Sequence, residues 1–321
     1  MKYMLCALLA CLTCVSLIGA SPQQQNAPAM GPSWAFPVAD PVQPPRGDPS
    51  TTVKVPGSAK TYTEAQVDDL MNPPDWFPQE HPLMPSIVAK GRGDVRACDS
   101  CHLTSGMGHP ESAIIAGFTA TYILRQLADM KSGARRTGGL MDVIAKALSD
   151  EEAGQAAAYF ASLRPFPYIK VVEATTVPKS YVASGLMRLP LPSGGQEALG
   201  RRIIVLPEDP ERIMARDPHG SATIAYVPPG SIVKGRELVT TGGAGKTISC
   251  MACHGESLKG GQLGDVPRIA GLQPIYIFRQ LYSIQHWTRT GESVELMRAP
   301  VKDLSEDDMI AISAYVGSLA P

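Results

Sequence analysis

Apolar residues recur at helical spacing in two stretches that share one rhythm. Ala153, Ala156, Phe160 and Leu163 fall three or four apart, and so do Met309, Ile312, Val316 and Leu319. Each run follows the same polar opening, Ser149-x-x-Glu152 and Ser305-x-x-Asp308. There a serine hydroxyl satisfies a free backbone N–H at a helix start. Two amphipathic stretches precede each run. One reads PSIVAKGRG at 85–93 and GSIVKGRELVTTG at 230–242; the other reads AGFTATYILRQL at 116–127 and AGLQPIYIFRQL at 270–281. The pattern predicts a leading, a middle and a last helix, twice over. Residues 166–231 carry a different signal. YIKVVEATTV, RRIIVLPED and SATIAYVPPGS are β-branched runs bounded by Pro and Gly, so they predict short strands or extended chain.

Aligning the two halves makes them repeats. The register is shared from the middle helix through GLMDVIAKALSDEEAGQAAAYFASLRP (139–165) and ELMRAPVKDLSEDDMIAISAYVGSLAP (295–321). The expected organisation is therefore mainly α: two small helical domains, 85–165 and 232–321, joined by the partly β linker 166–231. A Pro-rich extension occupies 21–84, with SWAFPVADPVQPPRGDP and MNPPDWFPQEHPLMP. The apolar content of both connecting segments predicts that they wrap the helical domains or form a partner surface.

Residues 1–20, MKYMLCALLACLTCVSLIGA, place one Lys before an apolar run that ends in small residues. This is the layout of a secretory signal peptide cleaved after Ala20, which implies export to the periplasm. An uncleaved N-terminal membrane anchor is the alternative. Charge changes little: 29 Lys+Arg against 30 Asp+Glu, with only 18% charged residues, argues against a nucleic-acid binder.

Cysteine usage changes the picture most. Of seven Cys, Cys6, Cys11 and Cys14 lie in the N-terminal twenty residues. The other four form CDSCH at 98–102 and CMACH at 250–254, leaving none for structural disulfides. C-x-x-C-H is the attachment signature of c-type haem: two thiols reach the two vinyl groups on one porphyrin edge, and the next His lies under the iron. Zinc held by both Cys pairs and a thioredoxin-like dithiol are the alternatives. The first would need pairs closer in sequence and leaves both His unused; the second lacks a βαβ context. The covalent haem residues are thus Cys98, Cys101, Cys250 and Cys253, with His102 and His254 as axial ligands. Two haem c groups are expected.

A Met thioether on the sixth position would complete a closed site suited to electron transfer. Met141 and Met297 occupy equivalent places in the repeats, each seven residues before the Leu-Ser of the last helix. Met107, Met130, Met251 and Met309 lack counterparts and read as packing residues. His109 and His286 are fallback ligands. Tyr122, Arg125 and Gln126, with Tyr276, Arg279 and Gln280, either reach haem propionates or form an exposed helix flank; Arg135, Arg136 and Arg289 share that ambiguity. GGAGKT at 242–247 lacks the leading Gly of a phosphate loop and runs into a clip instead of opening a helix.

Taken together, CxxCH, AG…Y…RQL and M…LS(D/E)(E/D)…AY, each present twice, resemble the class I cytochromes c, and within them the two-haem cytochromes c4. The resemblance covers roughly 85–165 and 232–321. It implies His/Met-ligated domains packed with their haem edges facing, and a periplasmic carrier of electrons. It also implies that a Pro carbonyl holds each proximal His. Pro267 matches in the second repeat, whereas the first has Ala113 at that place and Pro110 nearby.

Two functional classes follow. The first is an electron carrier without catalytic residues or a small-molecule substrate. Its partners are redox proteins (an oxidase, a reductase or a dehydrogenase); the cytochrome subunit of a dehydrogenase complex is another form of the same class, and association with a membrane complex is compatible with it. The second is a dihaem redox enzyme such as a cytochrome c peroxidase, which needs a displaceable axial ligand; the Met retained in both repeats favours the carrier. A thiosulfate-dehydrogenase-like enzyme would want a Cys ligand, and none is spare.

Overall fold

A computed structural model describes residues 30–321 except 46, 184, 221 and 262–265. The signal-peptide reading of 1–20 lies outside the described residues. The first described residues form a turn at 33–35, and Trp34 and Phe36 pack on Phe278 and Tyr282, ring centroids 4.5 and 5.8 Å apart. A two-stranded ribbon follows, β1 (Thr52–Val53) and β2 (Tyr62–Thr63), then a single capped turn, α1 (Glu64–Val67).

The first helical domain comprises α2 (Ser86–Ala89), α3 (Asp99–His102), α4 (Ala120–Ser132), α5 (Leu140–Ala147) and α6 (Asp150–Ser162). The linker holds β3 (Ile169–Glu173), β4 (Thr176–Pro178), β5 (Ser180–Val182), β6 (Arg188–Pro190), β7 (Gln196–Ala198), β8 (Ile204–Pro207), α7 (Pro210–Met214) and β9 (Thr223–Val227). The second domain comprises α8 (Ser231–Thr241), α9 (Met251–His254), α10 (Pro274–Gln285), a 3-10 turn at Glu292–Met297, α11 (Arg298–Val301) and α12 (Glu306–Gly317). β9 is the middle strand of a three-stranded sheet, parallel to β3 and antiparallel to β8; β4–β7 and β5–β6 are antiparallel pairs.

The expected helices all form, but the leading one is much shorter in the first repeat. The cause is local. Lys90 is already extended (φ −145°, ψ 126°), and the Gly91 amide donates to the Met71 carbonyl at 2.7 Å. Arg92 and Val95 then close a tight reversal, in which a side chain at Gly91 would meet the Val95 carbonyl at 2.5 Å. In the second repeat the same Lys-Gly-Arg continues as helix through Thr241.

The linker does wrap the helices. Ile203, Val205, Ala225 and Val227 of the sheet join Val88, Ile123 and Phe160 of the first domain and Val239, Phe278 and Ile312 of the second in one contiguous core. Consequently α12 is buried on most of its circumference, from Asp308 through Ala314. By contrast, α6 keeps a polar outer face, with Glu151, Gln155 and Ala158 exposed. Met107, Met130 and Met309 are buried packing residues, as expected. GGAGKT does not open a helix: Gly242, left-handed at φ 78°, ends α8.

Both capping boxes form. Ser149 accepts from the Glu152 amide and Ser305 from the Asp308 amide. Asp308 does more than cap. Lys234 and Lys246 reach it at 2.8 and 2.7 Å, tying α8 and the following loop to the start of α12. Burial works against its charge, yet the two lysines and Ser305 hold its carboxyl well below the ordinary 3.8. A depressed folded pKa stabilises above the unfolded value and is lost as pH falls. The second domain is therefore expected to lose stability as pH drops below about 3.8. Asp308→Asn should flatten that acid limb, which pH-dependent thermal denaturation checks.

Candidate functional site

Each clip is a single helical turn. Cys98 is the N-cap of α3 and Cys250 that of α9, so the two Cys and the His of each clip lie within about one turn of backbone. The His closes the turn, and the next residue reverses the chain in left-handed conformation: Leu103 at φ 60°, Gly255 at φ 80°. After that reversal the Ala113 and Pro267 carbonyls come back to the imidazoles. His102 Nδ1 donates to the Ala113 carbonyl at 2.9 Å, and His254 Nδ1 donates to the Pro267 carbonyl at 2.8 Å. The contact expected of a proline thus forms in both repeats, because the acceptor is a main-chain oxygen that Ala supplies equally well. With Nδ1 protonated, Nε2 keeps its lone pair free to ligate iron. Burial lowers the pKa of both rings, which favours the neutral, ligating form.

The four thiols are free, and burial pushes Cys98 up to about 12 and Cys250 to about 11. Among the described residues no three His, Cys, Asp or Glu side chains converge on a metal position, so the two Cys pairs do not form a shared zinc site. Met141 lies in the first turn of α5, and Met297 ends the 3-10 turn before α11; both are half-buried against the core. Each is held by the residue after it. The Asp142 carboxylate accepts from the Thr137 and Gly138 amides, all at 3.0 Å, and Arg298 donates to the Ile284 carbonyl at 3.2 Å. Those anchors were not read from the sequence, although the Asp two residues past a Gly-Leu was a visible cue.

The fallback ligands are placed elsewhere. His109 belongs to the loop that carries Ala113, on the proximal side, and its Nε2 meets Ser112 Oγ at 3.2 Å. His286 is exposed and stacks on Tyr282 at 3.8 Å. Of the flanking residues, Arg279 turns away to Glu111 and the Ala35 carbonyl.

Tyr122, Gln126, Arg135, Tyr276, Gln280 and Arg289 meet at a seam between the two repeats. Arg135 donates to Gln126 at 2.8 Å within its own domain and crosses to Gln280 at 3.0 Å and Tyr276 at 3.3 Å. Arg289 mirrors it, donating to Gln280 at 2.9 Å, Gln126 at 2.8 Å and Tyr122 at 3.4 Å. A bridge between the two Arg backbones, with Arg136 N–H to Thr288 O at 2.9 Å, stitches the same place. Both guanidiniums are buried, and neither has a carboxylate among its hydrogen-bond partners. Gln126 Nε2 and Arg289 Nε are buried without a partner. Asp129 is the carboxylate that acts on both cations, and its Oδ2 is buried without a hydrogen-bond partner. Two buried guanidiniums sharing one carboxylate are costly, and the carboxylate side arms of a bound group would fit this donor set.

Comparison with known proteins gives a consistent result. The family model described as cytochrome c matches residues 232–320. Cytochrome c4 of Pseudomonas aeruginosa is 25% identical over 234 residues, 72% of this chain and 88% of that protein. The thiosulfate dehydrogenase electron acceptor of Stutzerimonas stutzeri is 27% identical over 226 residues, covering 70% and 79%. Cytochrome c-554(548) of Halomonas halodenitrificans is 35% identical over 78 residues, covering 23% of this chain and 94% of that protein.

Proposed function

The chain belongs to the cytochrome c family, and from that premise we propose that it carries single electrons between redox proteins through two His/Met-ligated centres. Two covalently attached haem c groups supply a reversible ferric/ferrous couple. In this reading Cys98 and Cys101 anchor one group and Cys250 and Cys253 the other. His102 with Met141, and His254 with Met297, are the axial pairs. The observation that carries the reading is the duplicated imidazole clamp, His102 to Ala113 and His254 to Pro267. A clamped proximal ring and an anchored Met loop hold coordination constant through the redox change, which is what a carrier needs and a peroxide-activating centre does not.

At the seam, Arg135, Arg289, Tyr122 and Tyr276 would hold the propionates of both groups. A buried cation beside the iron favours the less positive, ferrous state. Arg135→Leu is therefore expected to lower the midpoint potentials, and potentiometric titration followed by visible absorbance reads this; unchanged potentials would remove Arg135 from that role.

The partner reading is a dehydrogenase-type electron donor, supported by the relatives named as electron acceptors of thiosulfate dehydrogenase. The chain could equally serve as the cytochrome subunit of such a complex. Export to the periplasm rests on the sequence of residues 1–20; among the described residues no helix is long and apolar enough to cross a membrane. The separating experiment is carbon monoxide addition to the reduced protein. A carrier with two closed centres leaves the spectrum unchanged, and a peroxidase-like centre forms an adduct.

A further inference from the structure

The two clips are equivalent in sequence and differ in exposure at their middle residues and second Cys. In the second, Ala252 and Cys253 are exposed, as are Ile248 just before it and Glu256 and Ser257 just after it. In the first, Ser100 in the place of Ala252 is 0% exposed and Cys101 in the place of Cys253 is half-buried, while Asp99, Leu103 and Thr104 around them are buried. The difference comes from chain that the helical repeat does not include. Residues 51–81 fold over α3 and are pinned there by residues of the linker around Arg216.

The cover is built, not incidental. Val55, Val67, Trp76, Phe77 and Ala215 form a small apolar core of their own. Trp76, 2% exposed, donates its Nε1–H to the Ala215 carbonyl at 2.8 Å. Arg216 donates Nε–H to the Val67 carbonyl at 2.9 Å and its other arm to the Ser100 carbonyl inside the clip. The Ala97 amide donates to the Leu70 carbonyl at 3.1 Å. Under this cover Asp99 is 3% exposed, and both its carboxyl oxygens are buried without a hydrogen-bond partner among the described residues.

Two thioether bonds fix one edge of the macrocycle at each clip, so exposure of the clip governs how closely a partner can approach that edge. We propose that electron exchange with partner proteins is confined to the Cys250–His254 clip, and that 51–81, locked by Arg216, seals the Cys98–His102 clip. The first domain then exchanges electrons only through the second, across the Arg135/Arg289 seam. This rests on the two-haem reading above. A one-electron donor protein would dock at Ile248, Ala252 and Cys253 and pass one electron to the group that Cys250, Cys253 and His254 would hold, reducing it from ferric to ferrous with no bond made or broken. A further electron follows after internal transfer. So small a face suits the weak encounters of electron-transfer proteins, which bury under about 1,200 Å².

The test uses the oxidised holoprotein and two inert paramagnetic probes of opposite charge, hexacyanochromate(III) and hexaamminechromium(III). Haem-methyl proton signals are assigned through contacts to the Cys98 and Cys253 side chains, and their broadening is followed with each probe. The expected result is loss of the second-domain signals with both probes while first-domain signals persist. Arg216→Ala should then expose the first-domain signals, and if that variant does not fold, the wild-type comparison decides alone. Equal broadening at both haems overturns the proposal, as does preferential broadening at the first. A pyridine haemochrome count below two per chain would instead overturn the two-haem reading on which it stands.

Discussion

Replacing Met297 by Ala is expected to open the sixth position of the second centre while leaving the haem attached through Cys250 and Cys253. The half of the spectrum contributed by that centre should become high-spin, bind carbon monoxide when reduced, and shift to a lower potential, since loss of a thioether removes the ligand that favours the ferrous state. Met141→Ala should do the same to the first centre. The two should be independent, because Met141 and Met297 sit on different anchors, Asp142 and Arg298. Visible absorption with and without carbon monoxide reads both. If either variant keeps the low-spin spectrum, another side chain is the ligand; the proximal-side His109 and the exposed His286 are poorly placed to be it.

The second large effect concerns stability. Gly235 lies in α8 where it crosses α12, and a Cβ there would fall 1.9 Å from the Ala311 carbonyl oxygen. Since the obstacle is backbone of a buried helix, the two helices must part. Gly235→Ala is expected to cost about 3 kcal/mol, the upper part of the usual overpacking range. Gly154 is the internal contrast. It lies mid-helix in α6 with open space where a Cβ would go, so Gly154→Ala should stabilise by about 0.5–1 kcal/mol. Thermal denaturation by circular dichroism distinguishes the two signs directly.

Much of this was legible in the sequence, for identifiable reasons. Capping boxes, apolar spacing and the clips are local signals, so the helices, both Ser caps and the Cys-x-x-Cys-His turns could be placed from residues alone. The strands of the linker were visible as β-branched runs, but not their pairing: β9 joins β3 in parallel across more than fifty residues, which no local pattern encodes. The acceptor of the His102 proton was hidden because a carbonyl has no side-chain signature, so Ala113 looked like a departure when it does the same work as Pro267. Likewise Arg135 and Arg289 read as ordinary cations beside the Met loops. Only the folded chain brings them antiparallel at one seam, each reaching into the other's domain. The covering of the first clip was similarly silent, since Trp76 donates to Ala215 and the next residue, Arg216, to Ser100, contacts between residues far apart in sequence.

The central claim is that two closed, His/Met-ligated haems make this chain a carrier of electrons. Its most direct test is absorption and magnetic circular dichroism of the oxidised protein, calibrated by the haem content per chain. The account predicts two haems, both low-spin, with a sulfur-to-iron charge-transfer band of matching intensity, and no response to peroxide or carbon monoxide. A high-spin haem that reacts with peroxide, or a charge-transfer band accounting for one haem alone, would contradict it.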